Sequence, residues 1–435
     1  MADFPHASTI EGVRFTAQIG VPNVIQGLFR KRALPARVGS LVKIDAQGFM
    51  LVRGLVAKYG PGPFFVRVAT DEALLLTDPD DIAFVLSGSP DPFASDPETK
   101  RKGMAAFQPD ALTLSRGEVW RARRTFAEEV LDTGRPLHRF SDRFLQVASE
   151  EADALPGSFG YDELNDAFRR ITRRVVFGDA AADDVGLHDQ LEALMAAGNS
   201  TPGKPAKGYD EFLDHVMSLL DDTGPDSLGA LVAKTPLAEG TPATQVVHWL
   251  FAMGDTLPAN LLRAFALLAT HDEQLREVQA ELAVADPGSA TSIGSLSYLA
   301  GCLQEAMRLW PTTPLFGRVT TRDVEFPSGA VLPEGTQVLV YNVFNHRNRD
   351  RVPYADRFAP GEWAGGDAGS YWGFNFFSNG PQGCPGAGLS VFLGQAVAAR
   401  LLARHEPALS GASLSPGSLP YTLDVNAVTI GLRPR

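Results

Sequence analysis

Apolar residues recur along most of the chain at intervals of three and four positions, the period of helices that bury one face. The spacing predicts helices over 117–131, 139–155, 162–177, 272–284 and 297–309, with a last clear one over 387–404. From Thr244 to about His271 the apolar positions occupy more than one face. A helix of that length runs roughly 40 Å, enough to cross a domain, and its all-round apolar character predicts a central, buried position. Strand signals are fewer. PFFVRVATDEALLL over 63–76 reads as two short strands and a turn, and DDIAFVLS over 80–87 as a short helix. Past Pro311, RVTTRDVEF, PSGAVLPEG and TQVLVYN alternate like short strands joined by turns. SPDPFASDPETK over 89–100 is expected to be loop, TPGKPAKG over 201–208 and DDTGPDSLG over 221–229 are breaks, and Phe344 to Asn379 is long and irregular. Residues 1–60 carry mixed signals. With no internal repeat and no linker between independent halves, the pattern predicts a mainly α chain with small β-sheets (α+β). It forms one domain over 1–435, with a β-rich N-terminal portion at about 40–80.

Composition narrows the class. Of 435 residues, 44% are apolar and 21% charged, which fits a globular chain and excludes disorder, collagen and coiled coil. Two cysteines exclude a disulfide framework and any four-cysteine metal site. The net charge of −12 has the opposite sign from that of a nucleic-acid binder, so no nucleic-acid partner is expected. The N-terminus lacks the basic and apolar regions of a secretory signal, and no apolar run reaches spanning length. A cytoplasmic protein with no membrane partner is expected.

One cysteine stands in an unusual setting. Cys384 lies in FFSNGPQGCPGAGLSVFLGQ, with four glycines and two prolines within Gly380–Gly388. A turn of this composition points backbone N–H groups at the sulfur, and the helix beginning just beyond adds its positive dipole end. Both favour thiolate over thiol. A core cysteine that only fills space needs no such loop. A nucleophilic cysteine needs a histidine base brought close by the fold, and no cysteine-protease signature surrounds Cys384. Zinc would need companion ligands, and Cys302 is the only other cysteine. A single thiolate holding a metal fits haem iron best, because the porphyrin supplies four further ligands.

The run Phe377–Gly386, F-S-N-G-P-Q-G-C-P-G, resembles the haem-binding signature of the cytochrome P450 family, Phe-x-x-Gly-x-Arg-x-Cys-x-Gly. Phe377, Gly380, Cys384 and Gly386 match; Gln382 stands where the family has an arginine that contacts a haem propionate. The resemblance covers roughly 60–405 and is strongest from 297 to 404. It implies a cytochrome P450 fold, with a long central helix over haem b (iron protoporphyrin IX) and Cys384 as the metal ligand. Glu305 and Arg308, at i and i+3 on one helix face, look like an ordinary surface ion pair in isolation. They resemble the family's Glu-x-x-Arg, which implies a buried structural pair. Its third partner in the family is an arginine of Pro-x-Arg-Trp/Phe; here Pro360-Gly361-Glu362-Trp363 places a glutamate there, with Arg357 as a candidate substitute. Trp120 and Arg124, at i and i+4, resemble propionate contacts, as does Arg318.

The central helix carries Phe251-Ala252-Met253-Gly254-Asp255-Thr256-Leu257-Pro258-Ala259. Ala252, Asp255 and Thr256 fit the family's Ala/Gly-Gly-x-Asp/Glu-Thr, with Met253 replacing a glycine. The resemblance implies that Asp255 and Thr256 are the catalytic pair, a carboxylate and alcohol relaying protons. Pro258 adds physics of its own. It lacks an N–H, and its ring crowds the Gly254 carbonyl. That carbonyl is left for a water or the Thr256 hydroxyl, unless Pro258 is a plain kink in a buried helix. Candidate substrate-lining residues are Phe93, Phe107, Phe251, Thr312, Leu315 and Phe316, suited to a small, largely apolar molecule. The resemblance implies a monooxygenase fed by a separate ferredoxin or flavodoxin with its reductase. A peroxygenase, isomerase or dehydratase of the same family stays open, as do a haem sensor and, from another class, a helical cysteine hydrolase.

Overall fold

The computed structural model describes residues 3–25, 37, 39, 42–199, 203–238 and 240–435. Of the break expected over 201–208, residues 201 and 202 lie outside the described residues, as do 40 and 41 of the portion expected to be β-rich.

Helix α1 (Thr9–Phe15) is followed by α2 (Ile44–Tyr59), the hairpin β1 (Phe64–Val68) and β2 (Asp71–Leu76), and α3 (Pro79–Ser87). Asp78 caps α3 by accepting from the Asp80 N–H, and Pro79 at the first position has no N–H to lose. Next come β3 (Phe93–Ala94), α4 (Glu98–Met104), α5 (Gly117–Val130), α6 (Ser141–Asp153), β4 (Ser158–Phe159), α7 (Tyr161–Phe177), α8 (Val185–Gly198) and α9 (Tyr209–Asp221). The central helix is α10 (Pro242–Phe251), a π turn over Ala252–Thr256, and α11 (Leu257–Leu268), whose twelve residues are all buried. Helices α12 (Asp272–Val284) and α13 (Ser297–Leu309) precede the strands β5 (Leu315–Thr320), β6 (Val324–Glu325), β7 (Val331–Leu332) and β8 (Gln337–Tyr341). The chain closes with α14 (Ala387–Leu402), β9 (His405–Ser410) and β10 (Thr429–Pro434).

Among the described residues, the larger sheet runs β1-β2-β8-β5-β3, with β2 and β8 parallel and the other pairs antiparallel. It joins strands from 64–94 to strands from 315–341. The main apolar core lies among the helices, with α11 packed between α7, α13 and α14. Smaller cores cover the faces of the sheet.

Several expectations change. Residues 44–59 form a helix, not part of a β-rich segment. Gly48, Phe49, Leu51, Val52 and Leu55 are its buried face, which is helical spacing diluted by two weak helix formers, Gly48 and Gly54. Gly48 is needed for packing: a Cβ there would lie 2.4 Å from the Tyr341 hydroxyl of the sheet. The segment expected to be loop over 89–100 contains β3 and the start of α4. The helices α8 and α9 and the three-stranded sheet β4-β10-β9 were not evident in the pattern.

Candidate active site: the Cys384 loop and the central helix

The Cys384 loop is a set of tight turns leading into α14. The Cys384 N–H donates to the Phe377 carbonyl (2.7 Å), and the Gly383 N–H to that of Gly380 (2.9 Å). Gly380 has φ +68, and a Cβ there would lie 2.3 Å from the Leu86 carbonyl at the end of α3. Only glycine fits both the backbone region and the contact. Gly386 is the N-cap of α14. Cys384 keeps accessible surface although protein atoms crowd it, so it lies on the wall of a hollow and not on the outer face. Burial pushes its thiol up; the Gly386 N–H and the Arg124 guanidinium act in the opposite direction. The loop thus helps a thiolate as expected, but desolvation outweighs the help, and a cation at the sulfur would have to supply the rest. Cys302 is different: it is fully buried, its thiol held well up by burial, beside a cavity of about 10 Å³ lined by apolar residues such as Leu261 and Leu303.

Four segments meet at this loop. Arg124 on α5 donates to the Gly383 carbonyl (2.5 Å) and pairs with Glu128 (2.7 Å). Trp120, one turn earlier, is half-buried. Arg318 on β5 is buried and donates to Ser89 Oγ (3.2 Å), the Gly317 carbonyl (3.1 Å) and Ser378 Oγ (3.1 Å). It forms no ion pair among the described residues, and burial lowers it to about 10. Lys100 on α4 donates to the Ser95 (3.0 Å) and Thr113 (3.1 Å) carbonyls. Burial, and next the Arg318 charge, lower it to about 7. Asp96, which acts the other way on Lys100, is already paired with Arg116 at 2.8 Å. Gln382 donates to Ser95 Oγ (3.0 Å), while its buried Oε1 lacks a partner among the described residues. A buried arginine and a half-buried lysine with little compensating charge beside a cysteine loop form a cradle for an anion.

Beneath the loop lies a charged core. Glu305 and Arg308 are both fully buried and doubly paired, with Nη2 to Oε2 at 2.8 Å. Arg308 also donates to the carbonyls of His346 (3.0 Å), Ala355 (2.9 Å) and Arg357 (2.8 Å). Glu305 accepts from the Ala359 N–H (2.9 Å) and from Trp363 Nε1 (2.8 Å). The arginine absent at position 362 is therefore replaced by the neighbouring indole. Glu362 and Arg357 are exposed, and the expected substitution by the Arg357 side chain does not occur. Gly301 lets the 360–363 segment approach α13, since a Cβ there would meet the Pro360 carbonyl at 2.5 Å.

On the central helix, Phe251, Ala252, Asp255 and Thr256 keep accessible surface between otherwise buried turns. Pro258 does not break the helix; a π turn takes up the defect, a form common at functional sites. The Gly254 carbonyl accepts from Asn165 Nδ2 (2.6 Å), not from Thr256. The Asp255 carboxylate is turned to α7: its Oδ1 accepts from Arg169 Nε (3.0 Å) and Nη2 (2.7 Å) and from Asn165 Nδ2 (3.1 Å). Arg169 also pairs with Glu192. The Tyr161 hydroxyl donates to the Asp255 carbonyl (3.0 Å).

Of the expected lining residues, Phe251, Thr312, Leu315 and Phe316 keep accessible surface. Phe93 and Phe107 do not. Phe93 is fully buried against Phe84 and Phe326 under the sheet, and Phe107 is core, packed edge-on to Phe251. Sequence reasoning missed Lys100, Trp363, Asn165 and Arg169. Only the adjacency of Trp363 to the glutamate at 362 offered a signal.

The profile described as Cytochrome P450 matches residues 209–412. Cyclooctat-9-en-7-ol 5-monooxygenase of Streptomyces melanosporofaciens is 30% identical over 295 residues, 59% of this chain and 63% of that protein. Cytochrome P450 4A6 of Oryctolagus cuniculus is 32% identical over 146 residues, 33% of this chain and 29% of that protein. A solved structure, retinoic acid bound cyanobacterial CYP120A1, superposes with a TM-score of 0.71 at 18% identity, covering 88% of this chain and 94% of that one. These matches together support a cytochrome P450. The mostly helical fold with small sheets is the P450 fold. The chain spans less than two thirds of the length of the curated relatives it matches. Cytochromes P450 carry haem and use substrates and redox partners. The residues here fit that group: Cys384 would supply its one thiolate, and Arg318, buried, and Lys100, half-buried, are cations suited to its carboxylates. Among the described residues no three His, Cys, Asp or Glu side chains converge on a site of their own, and no helix is long and apolar enough to cross a membrane.

Proposed function

We propose that this cytochrome P450 is a haem-thiolate monooxygenase that oxidises a small, largely apolar organic molecule. The observation that carries the reading is the pairing of an accessible cysteine in a glycine-built loop with Arg318, buried, and Lys100, half-buried, neither of which forms an ion pair among the described residues. In this reading Cys384 would hold the iron of haem b, with Phe377, Gly380 and Gly386 shaping its loop. Arg318, Lys100 and Trp120 would hold its propionates. Arg124, occupied by Gly383 and Glu128, holds the loop and lowers the sulfur's proton affinity. When bound, the haem supplies dioxygen activation, which a thiolate ligand promotes.

The chain's own residues handle protons and shape. Arg169 and Asn165 fix Asp255 through Oδ1 and leave Oδ2 to take and release a proton. Thr256, next along the π turn, offers an alcohol as the second station of the relay. Phe251, Thr312, Leu315 and Phe316 give the hollow an apolar wall. Glu305 and Arg308, tied by Trp363, hold the segment beneath the loop. We read residues 1–435 as one domain, because the larger sheet joins strands from 64–94 to strands from 315–341. Electrons come from a ferredoxin or flavodoxin with its reductase. With such a pair, isotopically labelled dioxygen should deliver one labelled oxygen atom to product. Turnover with peroxide alone, and none with dioxygen and electrons, would select the peroxygenase alternative.

A further inference from the structure

His248 lies on α10 one turn before Ala252, on the side of the central helix that keeps accessible surface. Its surroundings fix both its ring plane and its tautomer. Gln108, fully buried, donates through Nε2 to the Thr244 carbonyl (3.0 Å). A carbonyl only accepts, so the amide nitrogen must face it and Oε1 must face His248. Oε1 lies 3.2 Å from His248 Nδ1. An amide oxygen also only accepts, so Nδ1 carries the proton. Burial, and next the Lys100 charge, lower His248 to about 4, so the ring is neutral near pH 7. A neutral imidazole has one N–H, which leaves Nε2 as an acceptor.

That nitrogen has no partner among the described residues, and the ring keeps accessible surface although it lies deep among protein atoms. It therefore borders an internal hollow. Phe251 stands edge-on to the ring with centroids 4.6 Å apart, and Phe107 backs Phe251 at 5.8 Å. Lys100, whose charge bears on His248 and which itself feels the Arg318 charge, links this wall to the cation cradle at the Cys384 loop. A fixed acceptor in an apolar wall is satisfied by a neutral donor. A ketone would bring lone pair to lone pair, a hydrocarbon would leave Nε2 dry, and a cation would be repelled by Lys100.

We propose that His248 is a specificity-determining residue whose Nε2 accepts a hydrogen bond from a hydroxyl group already present on the substrate, so that the pocket selects alcohols over ketones and hydrocarbons of the same skeleton. This rests on the monooxygenase reading only in taking the hollow as the substrate pocket. The test titrates the haem-loaded protein with cyclododecanol, cyclododecanone and cyclododecane, followed by the Soret shift. The alcohol should bind about tenfold tighter than the ketone, the yield of one good hydrogen bond. His248→Phe should bring that ratio near one while keeping hydrocarbon affinity. Gln108→Leu frees the tautomer, so Nε2 can donate, and ketone affinity should rise. A purely structural role would not produce that reversal. A wild-type ratio near one, no saturable shift with the alcohol, or a ratio unmoved in either variant overturns the proposal. Loss of the thiolate-type carbon monoxide band in wild type would sink the monooxygenase reading instead.

Discussion

Trp363→Phe should destabilise the protein through one lost hydrogen bond. The Glu305 carboxylate is fully buried and accepts four donors: Arg308 Nε and Trp363 Nε1 on Oε1, Arg308 Nη2 and the Ala359 N–H on Oε2. Phenylalanine keeps an aromatic ring against Phe374 and Phe376, whose centroids lie 5.6 Å and 5.5 Å from that of Trp363. It removes the N–H and leaves Oε1 with a single donor. A hydrogen bond to a buried charge contributes about 1.5–3 kcal/mol. At an unfolding entropy of about 2 cal/mol/K per residue, a chain of 435 residues loses roughly 2 °C of melting midpoint for about 2 kcal/mol. Thermal melts followed by far-ultraviolet circular dichroism measure this. Glu305→Gln alone should cost more, about 3–5 kcal/mol, because it leaves Arg308 buried without its charge. The double variant should fall short of the sum, since both changes act on one carboxylate. Glu362→Arg restores the family's residue type at an exposed position and should change the midpoint by less than about 1 °C, the scale of a surface substitution. An unchanged midpoint in Trp363→Phe, or additive effects with Glu305→Gln, would refute the assignment of the indole as the third partner.

Gly380→Ala should destabilise by about 2 kcal/mol or more, from a positive φ and a methyl driven 2.3 Å from the Leu86 carbonyl; denaturant titration reads the cost, and a neutral result would remove the steric argument. Thr256→Ala should leave the carbon monoxide band intact and raise the dioxygen consumed per product formed; unchanged coupling counts against a proton relay through that hydroxyl. Lys100, lowered to about 7, releases its proton on folding at a pH where unfolded lysine, near 10, still holds one. Between those values the unfolded state binds more protons, so haem-free protein should gain stability as pH rises from about 7 to 10. Lys100→Met should flatten that gain, and a parallel pH profile in the variant would show that Lys100 is not its source.

Much of this was legible because local period and chemistry agreed. Residues 297–309 carry an uninterrupted helical repeat stopped by Pro311, and α13 spans Ser297–Leu309. The Cys384 loop was legible because its glycines answer local demands, the turn at Gly380 and the helix start at Gly386. What escaped depends on partners far along the chain. Asp255 is fixed by Asn165 and Arg169, 90 and 86 residues away. Lys100 sits in a segment that reads as solvated loop and gains meaning only beside Arg318. Gly48 weakens the helical signal of α2 for the sake of contact with Tyr341. The strands β9 and β10 contain proline or glycine, which weakens a strand pattern although they pair over six residues. Phe93 looked like a pocket residue by composition and proved to be core because α3 and the sheet close over it.

The central claim is that the Cys384 sulfur, as thiolate, binds the iron of a haem. The carbon monoxide difference spectrum of the reduced, haem-loaded protein tests it most directly, in wild type and in Cys384→Ala. A strongly red-shifted Soret band in wild type, absent from the variant, is the expected result. An unshifted band in wild type, or the same red-shifted band in both proteins, would contradict it.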